Sequence, residues 1–133
     1  RFDPTKPDCD GEYSYFDHVE YVLSTAEALG LYVALLPTWG DKWNRIGGLG
    51  PEIFSPENAF AYGKWLGARC SHHNNLLWIL GGDRPVDPTQ HRAILDAMAE
   101  GLHAGDRGKF LIGFHPCGAP RIFSMTRHGS IFI

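Results

Sequence analysis

Cysteine is scarce: the chain of 133 residues holds Cys9, Cys70 and Cys117. An odd number at wide spacing excludes a disulfide framework and offers no zinc spacing. It fits a reducing compartment and an exported protein with unpaired thiols equally well. Excess basic charge is also missing. A formal net charge of −3 leaves no electrostatic footprint for nucleic acid or an anionic membrane surface. No apolar run is long enough to span a bilayer. There is no GxGxxG; the "GGLG" at 47–50 has no strand immediately before it, so no nucleotide site is expected. The opening "RFDPTKPDCDGEY" lacks a basic-then-apolar leader and an initial Met, so Arg1 reads as an interior position of a longer protein. His72 and His73 are adjacent at the end of a helical pattern, where neighbours diverge and serve a metal poorly. No cofactor and no metal are expected.

What is present is a globular composition, 44% apolar and 20% charged, sufficient for one domain with a core. Phe16, Val19, Val22, Leu23, Ala26 and Leu29 recur at helical spacing, with Ser14 as N-cap, Asp17 three residues on and Gly30 as the stop. "LYVALLP" (31–37) then reads as a strand buried on both faces. A second helix starts with Ser55 as cap and Pro56 at its first position; Phe60, Trp65 and Leu66 give it an apolar side. "NNLLWILGG" (74–82) is a second buried strand. A third helix begins with Asp87 capping Pro88 and buries Ile94, Leu95, Met98 and Leu102. "KFLIGFHP" (109–116) is a third strand. Helices and strands alternate with no hairpin signal and no internal sequence repeat, which predicts an α/β fold of parallel strands with crossover helices.

Both a doubly wound sheet and a barrel place function at the carboxyl ends of such strands. Trp39, Asp41, Lys42, Trp43 and Asn44 follow the first strand, Asp83 and Arg84 the second, and His115 and Cys117 the third. Trp faces take the C–H side of a sugar ring and acids take hydroxyls, so this rim suits a carbohydrate. Two tryptophans in a charged, Gly-containing loop read as exposed rather than core. Asp83 with Arg84 also fits a capping loop with a local ion pair, and Gly81 and Gly82 fit a tight turn. A Cys117–His115 dyad is the weaker reading of the third strand end.

With these residues in view, "FDPTKP", "YFDHVEYVLSTAEALGLYVALLPTWGDKWN", "IFSPENAFAYGKWLGAR", "NNLLWILGGDRP" and "FHPCG" resemble the apiosidase-like glycoside hydrolases, which include glycoside hydrolase family 140. These are (β/α)8 TIM barrels of bacteria, often joined to a domain described as collagen-binding. The resemblance covers residues 1–118 and implies that this segment is a fragment, about three to four βα units, of a catalytic barrel. It further implies a glycosidase acting on plant cell-wall pectic polysaccharide. Asp83 would be the general acid/base, and the nucleophile would be a glutamate on a later strand, outside this chain. Trp39, Asp41, Trp43, Arg84 and His115 would lie near the substrate. The implied partner is an oligo- or polysaccharide, the whole protein a monomer, and its location extracytoplasmic, periplasmic or secreted.

Cleavage of a glycoside needs two carboxyl groups, one of them kept protonated by burial or a nearby negative charge. Arg84 turned toward Asp83 would oppose this, so its guanidinium is expected to face away from the carboxylate. Residues 119–133, "APRIFSMTRHGSIFI", continue no pattern. Back-translated with permitted codons and read one nucleotide earlier, residues 118–133 give "RTSNIFHDEAWLDFH", which resembles the family there; a frameshifted tail is expected. Alternatives are a non-catalytic sugar-binding remnant of the same barrel, and a compact doubly wound domain that binds another small molecule.

Overall fold

A computed structural model describes residues 2–7 and 11–118; the expected tail lies outside them. The first helix, α1, is Tyr15–Ala28, and the second, α2, is Pro56–Cys70. Both start as their sequences dictate. Ser14 and Asp17 form a reciprocal capping box, and Ser55 and Asn58 form another, each such cap stabilising its helix by about 1 kcal/mol. Gly30 ends the first connection with φ +71°, a conformation that suits glycine.

The third helix, α3, is Arg92–Asp106 and starts later than the sequence suggests. Asp87 accepts from Thr89 N, Thr89 Oγ1 and Gln90 N, so it caps a separate turn ahead of the helix. No helix among the described residues is long and apolar enough to cross a membrane.

The strands β1 (Val33–Leu35), β2 (Leu76–Gly81) and β3 (Ile112–His115) form a parallel sheet in the order β1-β2-β3. Val33 pairs with Leu76, Leu35 with Trp78, Trp78 with Ile112, and Gly81 with His115. One face of the sheet meets the helices. Leu76, Trp78 and Leu80 join Phe16 and Leu23 of α1, Tyr62 and Leu66 of α2, and Met98 and Leu102 of α3 in a single core. The opposite face carries Ala34, Leu77, Ile79 and Gly113, and none of these belongs to that core. The strands were expected to be buried on both faces. Among the described residues they are covered on one only, because all three helices lie on the same side. A doubly wound sheet has helices on both faces; this arrangement is an arc of a barrel wall.

The helix layer is tight. Gly63 and Gly67 of α2 face Gly101 and Gly105 of α3, with backbone against backbone. A methyl group at Gly63 would lie 2.6 Å from the Met98 carbonyl oxygen, and one at Gly67 would lie 2.5 Å from that of Leu102. Phe60, expected on the apolar side of α2, is 38% exposed.

Two buried polar groups tie the layers together. Trp78 Nε1 donates to Asp106 Oδ2 at 2.9 Å, and Asn75 Nδ2 donates to the carbonyls of Leu23 and Leu31 at 3.1 and 3.0 Å.

α2 stops at Cys70, so His72 and His73 lie in the turn before β2 rather than on a helix. Their rings do not diverge: the centroids are 4.1 Å apart and both rings reach Glu20 of α1.

Candidate active site

The carboxyl ends of the three strands meet at one rim, and their pairing explains how. Gly81, the last residue of β2, is in register with His115, the last of β3. A side chain at Gly81 would strike the His115 carbonyl, so only glycine allows this approach. From there the backbone takes three consecutive positive φ values: Gly81 +101°, Gly82 +90° and Asp83 +62°. Glycine adopts such angles freely. A residue with a Cβ is held there at a cost of roughly 1–2 kcal/mol, although Asp is among the more tolerant.

Arg84 secures the turn. Its Nη1 donates to the Asp83 carbonyl oxygen at 2.9 Å, its stem lies against Gly40, and its Nη2 lies beside Gly48. No Asp83–Arg84 ion pair forms among the described residues, so the guanidinium binds backbone and leaves the carboxylate alone. The burial that helps to keep a catalytic acid protonated is not found at Asp83. The residue is exposed instead, because the left-handed turn carries it beyond the sheet. Its Oδ1 accepts a long hydrogen bond from Gly118 N at 3.4 Å.

The segment after β1 folds over this turn. Residues Gly40–Lys42 form a single 3-10 turn, after which Trp43 is driven inward. Trp43 is 2% exposed and its indole N–H donates to the Gly81 carbonyl at 3.1 Å. The expectation of a surface Trp43 against sugar is therefore corrected: its ring is core, and its one polar atom holds the glycine turn. Asp41 is likewise engaged within the protein. It is buried, 3.1 Å from Lys42 Nζ and 3.2 Å from Gly50 N, so its carboxylate organises the 39–50 loop.

Trp39 remains on the surface at 49% exposure, with its ring centroid 6.4 Å from that of His115 and the planes tilted by 39°. The rim thus brings together Asp83, Trp39 and His115 as accessible groups, and turns Trp43, Asp41 and Arg84 into supports. Cys117 makes no hydrogen bond with His115 among the described residues, so the dyad reading has no geometry behind it.

Two further supports emerge: Asn44, placed at the first strand end by the sequence but given no role there, and Tyr62, which the sequence did not single out. Asn44 is 2% exposed and its Nδ2 donates to the Pro85 carbonyl at 2.8 Å. Tyr62 donates to the Pro37 carbonyl at 3.0 Å, and burial pushes its phenol far above its ordinary pKa. Both act across long sequence separations, which no local pattern reveals. Beneath the rim, Pro37, Trp43, Leu80, Ile94 and Met98 line an apolar void that holds no more than a water molecule.

Comparison with known proteins places this geometry in context. Residues 2–130 match the family described as apiosidase-like, catalytic domain. A search of curated proteins found no match. Among solved structures, the chain is similar to a protein of Bacteroides vulgatus described as a glycoside hydrolase family 5 member. The identity is 29% and the TM-score 0.68, over 83% of this chain and 22% of that one. A second structure, described as a glycoside hydrolase, is 32% identical with a TM-score of 0.67, over 83% of this chain and 23% of that one. The chain therefore spans less than a quarter of the length of either structure.

Proposed function

Because this chain belongs to the apiosidase-like catalytic-domain family, we propose that it contributes the general acid/base, Asp83, to a glycosidase acting on pectic polysaccharide of plant cell walls. The observation that carries this reading is the backbone at Asp83. An exposed acid held at φ +62° at the carboxyl end of a central strand has no packing purpose of its own. Strain of this kind gathers where a side chain must be aimed. Arg84 maintains the aim through the Asp83 carbonyl without neutralising the carboxyl group.

In the proposed reaction, Asp83 protonates the departing glycosidic oxygen and then takes a proton from the attacking water, as in a retaining mechanism. Trp39 offers its face to the apolar side of a sugar ring, and His115 offers a ring nitrogen to a hydroxyl. The second carboxylate has to come from elsewhere, because Asp41 is already bound to Lys42 and Gly50. The glutamate nucleophile on a later strand, implied by the resemblance, fills this role. A polymeric cell-wall substrate in turn puts the whole protein outside the cytoplasm.

The test is Asp83→Asn in a protein carrying the complete catalytic domain. Hydrolysis of a pectic oligosaccharide should fall by about 10²–10⁴-fold, the usual contribution of general acid–base catalysis. Binding of the same oligosaccharide should change little. Hydrolysis of an activated aryl glycoside, whose leaving group needs no proton, should lose much less in its first step. Wild-type rates on both substrates would remove Asp83 from the chemistry.

A further inference from the structure

At the opposite end of β2 from Asp83, three side chains converge for which the proposed hydrolysis has no use. Glu20 lies on α1, and His72 and His73 lie in the turn that leads into β2. Glu20 Oε2 is 2.8 Å from His73 Nε2 and 3.2 Å from His72 Nε2. The other ring nitrogens are committed. His73 Nδ1 is 3.4 Å from Glu27 Oε2, and His72 Nδ1 is 3.1 Å from the Arg69 carbonyl oxygen. A carboxylate and a carbonyl can only accept, so each Nδ1 must carry a proton. In neutral rings, both Nε2 lone pairs then point at a carboxylate oxygen that is itself only an acceptor. Three lone pairs at such distances require a positive charge among them.

We infer that Glu20, His72 and His73 form a binding site for a divalent transition-metal cation, Zn²⁺ by its donor chemistry, which ties α1 to the turn between α2 and β2. Zinc binds imidazole nitrogen at about 2.0–2.1 Å and carboxylate oxygen at about 2.0–2.2 Å, so tetrahedral ligands stand roughly 3.4 Å from one another. The three donor atoms here all lie within 4.8 Å of one another, and small ring rotations reach that spacing. Glu27 and the Arg69 carbonyl sit where metal-ligating histidines usually place their outer partners.

The surrounding charge permits a dication. Asp17, Glu20 and Glu27 face Arg69 and Lys109: Arg69 is paired with Asp17 and Glu20, and Lys109 Nζ donates to the His73 carbonyl. With neutral histidines the group carries one net negative charge. The His73 side chain is 2% exposed and fixed; that of His72 is 64% exposed and opens the fourth position to solvent. The position, at the amino end of the strands, fits a stabilising role rather than a catalytic one. The alternative source of positive charge is a proton on each ring, and the experiment separates the two.

A protein carrying the complete catalytic domain, purified free of metal, is titrated with Zn²⁺ by calorimetry near neutral pH, and its thermal midpoint is followed with and without the ion. One equivalent should bind and raise the midpoint. His72→Ala removes an exposed ligand and should weaken binding by at least about 10-fold, the size of an outer-shell loss. Glu20→Gln should do the same, and Cys117→Ser should not. Affinity should fall in acid, because imidazole and carboxylate bind a metal only when deprotonated. Binding that His72→Ala leaves unchanged, or no binding in a folded protein, would overturn the site and leave a protonated ion-pair cluster. Neither result bears on Asp83, so this inference and the glycosidase reading fail independently.

Discussion

Asp83 is the residue at which stability and aim conflict. Its left-handed backbone costs roughly 1–2 kcal/mol relative to an ordinary conformation. Glycine would remove that cost and give back part of it in unfolded-state entropy. Asp83→Gly is therefore expected to unfold at higher denaturant concentration, by roughly 0.5–1 kcal/mol, while losing hydrolysis in the complete enzyme. Chemical denaturation of the two proteins measures it; a destabilised Gly variant would mean that the Asp83 side chain holds the turn. A second expectation concerns Cys70, which is 1% exposed and whose thiol is pushed up to about 12 by burial, with Glu20 adding to the effect. At mildly alkaline pH, iodoacetamide should modify Cys117 and reach Cys70 only after unfolding, as peptide mapping would show. At this scale the sequence was informative about which residues reach the rim and silent about how they are used. Trp39 and Trp43 look alike in the sequence. Their difference arises from the Gly40–Lys42 turn and an indole hydrogen bond to Gly81, 38 residues away.

The helices were readable where a cap and a period agree, as at Ser14 and Ser55, and misread where a turn imitates a cap, as at Asp87. The capping box of α1 carries a pH signature. Hydrogen bonds from the Ser14 N–H and hydroxyl, with Arg69 adding to them, hold the Asp17 carboxyl below its ordinary 3.8. A lowered carboxyl pKa gives stability that is complete above that ordinary value and is lost as pH falls through the folded one. Asp17→Asn should thus flatten the loss of stability below about pH 4, a difference that acid unfolding curves detect. The glycine seam between α2 and α3 is a separate case. Gly→Ala in a helix normally adds about 1 kcal/mol of propensity. At Gly67 the new methyl would meet the Leu102 carbonyl oxygen at 2.5 Å. Gly67→Ala should therefore destabilise the protein by about 1–3 kcal/mol, as overpacking does, with a lowered Tm as the readout. Four glycines at i, i+4 spacing were visible in the sequence, but nothing there says that the two pairs face one another.

As a whole molecule, the chain is a helix layer on one side of a short parallel sheet. Among the described residues, β1 and β3 each pair only with β2. Leu31, Tyr32 and Leu111 are exposed beside these strands, at 56%, 74% and 83%. Unpaired edges and apolar surface invite association. The 133-residue chain purified alone is expected to bind a hydrophobic dye and to elute as a heterogeneous assembly on gel filtration. A monodisperse monomer with a cooperative melt would count against this.

The face of the sheet opposite the helices also sets a volume constraint. Along it, large and small residues alternate from strand to strand: Leu77 stands beside Ala34, and Ile79 beside Gly113. A methyl at Gly113 would come within 3.0 Å of Ile79 Cδ1, so Ile79 already leans over its neighbour. In a closed barrel the interior is filled by layers of side chains from alternate strands. β2 supplies bulk to those layers, and β1 and β3 supply room. Strands that face them across the barrel axis would need large side chains at the heights of Ala34 and Gly113, and small ones opposite Leu77 and Ile79. The steric profile of this wall is thus a mould, and it specifies the sizes of side chains that can close it.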